Sequence, residues 1–135
     1  MSEPQFVEYC WAIVGEVRQE LWCGKTVQPT TGTVSEVDFD GQWVLDREEN
    51  DGDIIGFYHT HPSGTPNPST RDVNTMRAWV GSFGKPLLCL IEADNNLAAF
   101  RFDDDQCDGV EMRRCELFFD EVVVACDLQQ YEEQE

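Results

Sequence analysis

Basic residues, histidine and long apolar runs are all scarce in this 135-residue chain. It carries 9 lysines and arginines against 27 acidic residues, for a net charge of −18. That charge would repel a phosphate backbone, which disfavours nucleic-acid binding. No stretch approaches the roughly 20 apolar residues of a membrane span, so no membrane association is expected. Residues 1–5 lack a basic segment followed by an apolar run, and we therefore expect no signal peptide and a cytoplasmic protein.

Disulfide and metal-binding cysteine patterns are also missing. No two of the six cysteines have CxxC spacing, and several lie among apolar neighbours. Without an export signal, these features favour reduced thiols packed as small hydrophobic residues over a disulfide framework. The cysteines are Cys10, Cys23, Cys89, Cys107, Cys115 and Cys126.

The acidic residues gather in three runs, at 47–53, 103–105 and 131–135. Such runs are usually solvated loops and tails; the alternative is a negative field that attracts a basic protein partner. The length fits one domain, and we expect residues 1–135 to form it, with a disordered acidic tail from about residue 128.

The apolar pattern predicts a mixture of strands and one clear helix. The expected strands are 6–14 (ending at Gly15), a looser 17–27, part of 37–45 around a turn at Asp40-Gly41, and 54–61 (stopped by Pro62). A stiff loop follows at 62–68, and 87–91 with 97–102 should form a hairpin. The apolar segments 117–119 and 122–125 should be ordered to about residue 127. The four tryptophans, Trp11, Trp22, Trp43 and Trp79, are expected in the core, although Trp79 could also line a groove.

The helix is expected directly after the loop. Apolar residues recur at three- to four-residue spacing from Val73 to Phe83. Ser69 is a good N-cap, Asp72 stands three residues later as in a capping box, and Gly84 closes the end.

The two histidines are His59 and His61, two positions apart on the predicted strand. Because side chains alternate along a strand, both imidazoles should leave the same face. Two imidazoles, one carboxylate and a water form the usual donor set of a catalytic zinc, and Asp72 is the natural third protein ligand. The plainer interpretation is two histidines on a half-exposed strand, a serine capping a helix and an aspartate completing the cap.

The spacing H-x-H-x(7)-S-x-x-D resembles the JAMM/MPN metallopeptidase family, known from deubiquitinating enzymes and bacterial relatives. All four positions agree, and Pro62 and Gly64 also suit the family's appearance. The resemblance spans roughly residues 6–102, and no motif carries over beyond it. It implies an α/β fold: a single compact MPN/JAB domain of the cytidine-deaminase-like type, with a mixed β-sheet and flanking helix or helices. The matched residues are His59, His61, Ser69 and Asp72.

The family also uses an upstream glutamate, and Glu8 fits its frame, with Ile13 five and Gly15 seven positions later. Glu16 and Glu20 remain competitors, although they lie among polar neighbours. Trp11 stands where relatives often have glycine, which predicts crowding near the site. The helix that normally precedes this strand is nearly absent. The apolar C-terminal segment or a partner must then cover that side of the sheet.

The resemblance implies one catalytic Zn²⁺ held by His59, His61 and Asp72. Glu8 would be the general base, and the Ser69 hydroxyl would help to hold the oxyanion. Ser69 as a simple N-cap stays open, and one hydroxyl can serve both ends.

The implied activity is cleavage of peptide or isopeptide bonds after the C-terminal tail of ubiquitin or a ubiquitin-like protein, the tail binding as an added strand. The chain has little room for linkage-selecting insertions. It therefore looks like the bacterial branch, including peptidases encoded with ubiquitin-like conjugation systems in antiphage defence, whose proteins would be partners. Two alternatives remain: another zinc hydrolase, acting on small peptide or amino-acid conjugates, and a non-catalytic MPN scaffold.

Overall fold

One curled, mixed sheet organises the residues that the computed structural model describes, which are 10–19, 21–27, 41–61, 64–112, 114–118 and 121–125. Within these ranges the chain forms eight strands and two helices. In chain order they are β1 (Cys10–Arg18), β2 (Leu21–Val27), α1 (Gly41–Asp51), β3 (Ile54–Thr60), α2 (Thr70–Phe83), β4 (Leu87–Ala93), β5 (Asn96–Phe102), β6 (Val110–Glu111), β7 (Arg114–Phe118) and β8 (Glu121–Ala125).

The strand order is β6-β5-β4-β3-β1-β2-β8-β7. Only β3 and β4 pair in parallel; the other neighbours in the described sheet are antiparallel. A parallel pair needs a crossover connection, and α2 supplies it. The connection leaves β3 just after the histidine pair, so the first turn of α2 returns beside the end of that strand. The expected mixed α/β fold is confirmed.

The sheet buries a different cluster on each face. On one face, α1 and α2 pack through Val44, Met76 and Val80, which are all at most 3% exposed. On the other face, strand residues pack against the curled C-terminal part of the chain. That second cluster contains Ile13, Trp22, Ile55, Tyr58, Leu88, Leu90, Ala99, Met112, Val122 and Val124. Val122 and Val124 of the C-terminal segment therefore cover part of this face.

The helix α2 has the predicted ends. The Ser69 side chain accepts a hydrogen bond from the Asp72 backbone N–H, and the Asp72 carboxylate accepts one from the Ser69 N–H. Gly84 ends the helix in the left-handed conformation at φ 69°, and its N–H donates to the carbonyl of Val80. Both ends thus satisfy backbone groups that a helix leaves without intrahelical partners.

Two predictions about residues 37–53 were wrong. Residues 41–45 begin α1 rather than pairing in the sheet, because Val44 is fully buried against the sheet and Trp43 packs beside it. The same helix contains most of the acidic run expected as a loop, where Arg47 pairs with Asp51 and Asp53. Residues 37–40 of that prediction lie outside the described part of the chain.

Strand β1 also continues through Gly15 to Arg18 instead of ending there. A Cβ at Gly15 would lie 2.0 Å from the Cys23 carbonyl oxygen, so glycine permits a close approach between β1 and β2. The hairpin of β4 and β5 forms as predicted, and residues 103–105 form a loop as predicted.

The tryptophans pack in the core as expected, and among the described cysteines Cys89 is buried while Cys23, Cys107 and Cys115 are partly exposed. Among described side chains, Cys23, Cys89, Cys107 and Cys115 are free thiols, and burial is the main cause that raises the pKa of Cys115 to about 11. All four tryptophans pack against the two clusters; Trp79 contacts the rings of Phe57 and Phe83.

Neither helix in the described ranges has the length and apolarity needed to cross a bilayer. The acidic tail lies outside these ranges.

Candidate metal centre

The C-terminal end of β3 carries the histidine pair. His59 lies in the strand and His61 follows its last residue. Alternation along β3 puts Tyr58 into the cluster on the C-terminal side of the sheet and Phe57 into the cluster on the helical side. His59 and His61 share the parity of Phe57, so both leave one face, as predicted, and that face is the helical one.

The first turn of α2 brings Asp72 to the two imidazoles. Asp72 Oδ1 lies 3.3 Å from Nε2 of His59, and Asp72 Oδ2 lies 3.1 Å from Nε2 of His61. The two Nε2 atoms are themselves 3.1 Å apart. Among the described residues, these three side chains form the group of histidines, cysteines and carboxylates whose donor atoms could hold a metal ion. The three predicted ligands are therefore together in space.

The spacing of these atoms suits a tetrahedral ion. With metal–ligand distances of about 2.05 Å, two corners of a tetrahedron lie about 3.3 Å apart. The two nitrogens are 3.1 Å apart, and each lies 3.1 to 3.3 Å from a different oxygen of Asp72, which is close to that edge. Each distance is also a possible hydrogen-bond length, but a cation gives a common partner to both facing imidazole nitrogens and to the carboxylate. The donor chemistry, two imidazoles and a carboxylate, is that of zinc.

The site is half-buried, and its surroundings favour the ionised form of the Asp72 carboxylate. The side chains of His59, His61 and Asp72 are 12%, 14% and 17% exposed. Burial alone would raise the pKa of Asp72, but the hydrogen bond and charge of His59, together with the Ser69 N–H and hydroxyl, outweigh it and lower this pKa well below its ordinary value. A carboxylate ligand must be ionised, so the capping box that fixes Asp72 in position also favours the form that can bind a cation.

Strand β4 fixes the backbone behind the second histidine. The His61 N–H donates to the carbonyl of Glu92 over 2.9 Å, which extends the β3–β4 pairing by one bond beyond Thr60. Farther along, the Gly64 N–H donates to the Asp94 carboxylate. From the sequence, the predicted hairpin of 87–91 with 97–102 implies only that a turn lies between the two strands. The contact joins residues 30 positions apart, so no local spacing could have revealed it.

The three candidate bases differ in position. Glu8 and Glu20 lie outside the described residues. Glu16 is described: it pairs with Cys23 toward the distal end of β1, and its exposed carboxylate contacts Arg18. It is therefore remote from the histidine end of β3.

Trp11 does not crowd the site. It packs on the opposite face of the sheet, its ring centroid 4.9 Å from that of Tyr58. The crowding expected from this large residue is thus wrong, because alternation along β1 sends its side chain away from the histidines.

Comparison with known proteins gives two matches. The family model described as prokaryotic homologs of the JAB domain matches residues 7–103. A histone deubiquitinase of Branchiostoma floridae, MYSM1, is 39% identical over 41 residues, which cover 28% of this chain and 5% of that protein. The chain thus corresponds to a small part of that relative. Since the family model covers well over half of the chain, the protein belongs to the prokaryotic homologues of the JAB domain.

Proposed function

We propose that this protein is a zinc-dependent isopeptidase or peptidase that cleaves after the C-terminal tail of ubiquitin or a ubiquitin-like protein. The observation that carries the proposal is the convergence of His59, His61 and Asp72 at tetrahedral spacing. Membership in the JAB family and the partial likeness to a deubiquitinase support the class of reaction.

Three side chains would hold the ion and leave room for chemistry. Zinc with three protein ligands keeps a fourth position open, where it polarises a carbonyl and lowers the pKa of a water to about 7. Residual exposure of 12% to 17% leaves the side chains of His59, His61 and Asp72 in part accessible to solvent. Their fixed positions on a strand end and a capped helix limit the reorganisation needed during reaction.

Ser69 would stabilise the oxyanion. Its hydroxyl oxygen accepts the Asp72 N–H at 3.1 Å. A hydroxyl that accepts a bond still has a proton to donate, and in Ser69 that proton is directed at the Asp72 carboxylate. Oxyanion stabilisation would therefore require the hydroxyl to turn from the carboxylate to the oxyanion while its oxygen keeps the cap. A single such donor typically contributes about 3 to 4 kcal/mol to the transition state.

Glu8 would act as the general base, taking a proton from the attacking water and returning it to the leaving amine. The β1–β3 register supports this choice over Glu16, because Cys10 is opposite His59 and Glu8 precedes Cys10 by two positions. Glu16 pairs instead at the distal end of β1.

The substrate would come from a bacterial ubiquitin-like conjugation system, which the protein would serve in the cytoplasm by maturation or deconjugation during antiphage defence. The C-terminal tail of the substrate would add as a strand beside the metal centre. Backbone hydrogen bonds bind an extended peptide in this way with little dependence on its side chains. The compact domain supports this choice: between β3 and β4 the chain has room for α2 and its connections only.

The test combines metal analysis with cleavage of a defined substrate. Purified protein is reconstituted with zinc, its metal content is measured, and it is incubated with linear ubiquitin-like fusions whose products are identified by intact mass. We expect one zinc per chain, cleavage directly after the tail, loss of cleavage with chelator and recovery when zinc returns.

Each other outcome rejects part of the proposal. If the reconstituted protein contains no zinc, the proposed metal centre is rejected. One zinc with cleavage only of small peptide or amino-acid conjugates supports the alternative hydrolase. One zinc without cleavage of either substrate type, together with unchanged biological activity in Asp72→Ala, supports a scaffold.

A further inference from the structure

We propose that Asp94 is a positioning residue for the metal centre, acting through the loop that joins His61 to Ser69. This inference rests on the proposed function. Its basis is a hydrogen bond of 2.8 Å from the Gly64 N–H to Asp94 Oδ2, which links the tip of the β4–β5 hairpin to that loop.

The hairpin turn aims the carboxylate. Ala93 pairs with Asn96, leaving Asp94 and Asn95 as a two-residue turn. Both have positive φ, 49° and 67°, as a type I′ turn requires. Aspartate and asparagine tolerate this conformation better than most residues. Position 94 therefore has two separable roles: it adopts the turn conformation, and it accepts the bond from the loop.

The donor of this hydrogen bond, Gly64, has an unusual backbone conformation, with φ at 95°. A Cβ there would meet no atom within 4 Å, so the position needs glycine for its backbone conformation and not for space. The conformation directs the amide N–H toward Asp94. The hydrogen bond thus joins a carboxylate positioned by a two-residue, positive-φ turn to an amide positioned by a positive-φ glycine.

The loop can transmit this restraint to the site. On its N-terminal side, the His61 N–H is bound to the Glu92 carbonyl. On its C-terminal side lie Pro66 and Pro68, whose fixed φ angles stiffen the path to Ser69. The end of β4 therefore holds the loop at its start, at His61, and the β4–β5 turn holds it again at Gly64, before the cap that fixes Asp72.

Three variants separate the two roles of residue 94. Asp94→Asn keeps the positive-φ preference and an acceptor oxygen while removing the charge. Asp94→Gly keeps the turn and removes the acceptor. Asn95→Gly is the matched control, since it changes the neighbouring turn residue and leaves the Gly64 contact in place.

Hydrogen exchange at the Gly64 amide, measured by NMR without metal, reads the contact directly. Zinc affinity is measured by competition with a chromophoric chelator, and kcat and KM are determined on a cleaved fusion. For Asp94→Gly we expect faster Gly64 exchange and about a tenfold loss of zinc affinity, the lower end of the effect of residues that orient ligands. Asp94→Asn should fall between wild type and Asp94→Gly in zinc affinity, and Asn95→Gly should match wild type.

The inference is overturned if Asp94→Gly and Asn95→Gly behave alike in exchange and in zinc affinity. It is also overturned if exchange at Gly64 rises while zinc affinity is unchanged, because the contact is then structural only. Failure of the proposed function looks different: the wild-type protein then binds no zinc or cleaves no fusion, whatever residue stands at 94.

Discussion

Cys10 on β1 lies directly opposite His59 on β3. The ladder continues to Val14 opposite Ile54, so the N-terminal end of β1 borders the histidine end of β3. Glu16 follows Cys10 by six residues, about 20 Å along an extended strand. The register therefore places Glu16 far from the histidines, while Glu8, which lies outside the described residues, stands two positions before Cys10 in the sequence.

Glu8→Gln should abolish turnover while leaving the metal centre intact. The amide keeps the size of the side chain but cannot accept a proton, so we expect kcat to fall at least about 100-fold, as for loss of a general base. Zinc content and thermal unfolding should match wild type. The measurement is cleavage of a ubiquitin-like fusion beside metal analysis of the same sample.

Glu16→Gln is the control for this change, because its side chain is exposed and contacts Arg18 at the other end of the strand. It should retain wild-type kcat. Full activity in Glu8→Gln together with a loss of activity in Glu16→Gln would make Glu16 the general base. The β1–β3 register would then be a wrong guide to this residue.

Replacing Ser69 by alanine and by glycine should separate its two roles. Alanine is a poor N-cap and glycine a fair one, so Ser69→Ala should lower the free energy of unfolding by about 1 kcal/mol and Ser69→Gly by a few tenths. Ser69 has an extended backbone, φ −76° and ψ 170°, which both residues adopt. If the hydroxyl stabilises the oxyanion, both variants should lose kcat by roughly 100-fold or more.

The comparison of stability with kcat decides between the interpretations of Ser69. Denaturant unfolding and fusion cleavage are measured on both variants, at saturating zinc. A kcat that falls only in Ser69→Ala, in parallel with stability, would leave Ser69 as a helix cap without a role in the reaction.

The convergence of the three candidate metal ligands could be predicted from sequence because each position depends on a local rule. Alternation puts His59 and His61 on one face, and the capping box fixes Asp72 in the first turn of α2. The loop at 62–68 is predicted correctly in the positions described, because proline punctuates it. Local periodicity needs no knowledge of distant contacts, which explains this success.

The remaining features depend on tertiary contacts. Val44 lies in a helix because its side chain fills space against the sheet, and nothing within residues 37–45 reveals that space. The direction of Trp11 follows from which face of β1 meets α2. The bond between Gly64 and Asp94 joins a loop to a hairpin tip. Such pairings become visible only when strand order is known.

The ion pair between Arg47 and Asp53 should make stability depend on acid pH. The guanidinium donates to both carboxylate oxygens, at 2.8 and 2.7 Å, and this lowers the pKa of Asp53 below its ordinary value of 3.8. A lowered folded-state pKa contributes stability above the unfolded pKa, and this contribution is lost as pH falls through the folded one. Asp53→Asn should therefore cost about 0.5 to 1 kcal/mol at pH 7, given partial solvent exposure, and almost nothing near about pH 2.

Urea unfolding across this pH range measures the effect. Asp51→Asn is a suitable control, because Asp51 contacts the same guanidinium over 3.0 Å but is 53% exposed. It should cost no more than about 0.3 kcal/mol, as for other exposed pairs one helical turn apart. A difference between wild type and Asp53→Asn that persists unchanged at low pH would contradict ionisation of Asp53 as its source.

Two glycine-to-alanine changes should shift stability in opposite directions. A Cβ at Gly56 would lie 2.2 Å from the Leu88 carbonyl oxygen, within the β3–β4 pairing that positions His59, so Gly56→Ala must push the strands apart. We expect a loss of roughly 2 to 3 kcal/mol, as for other overpacked sites, together with weaker zinc binding. In α2, a Cβ at Gly81 would meet its nearest atom, Asp105 Cβ, at an ordinary 3.5 Å. Because alanine favours helix over glycine, Gly81→Ala should raise the free energy of unfolding by about 0.5 to 1 kcal/mol and leave zinc affinity unchanged. Both variants are measured by thermal and urea unfolding. A shift of stability in the same direction in both variants would refute these expectations.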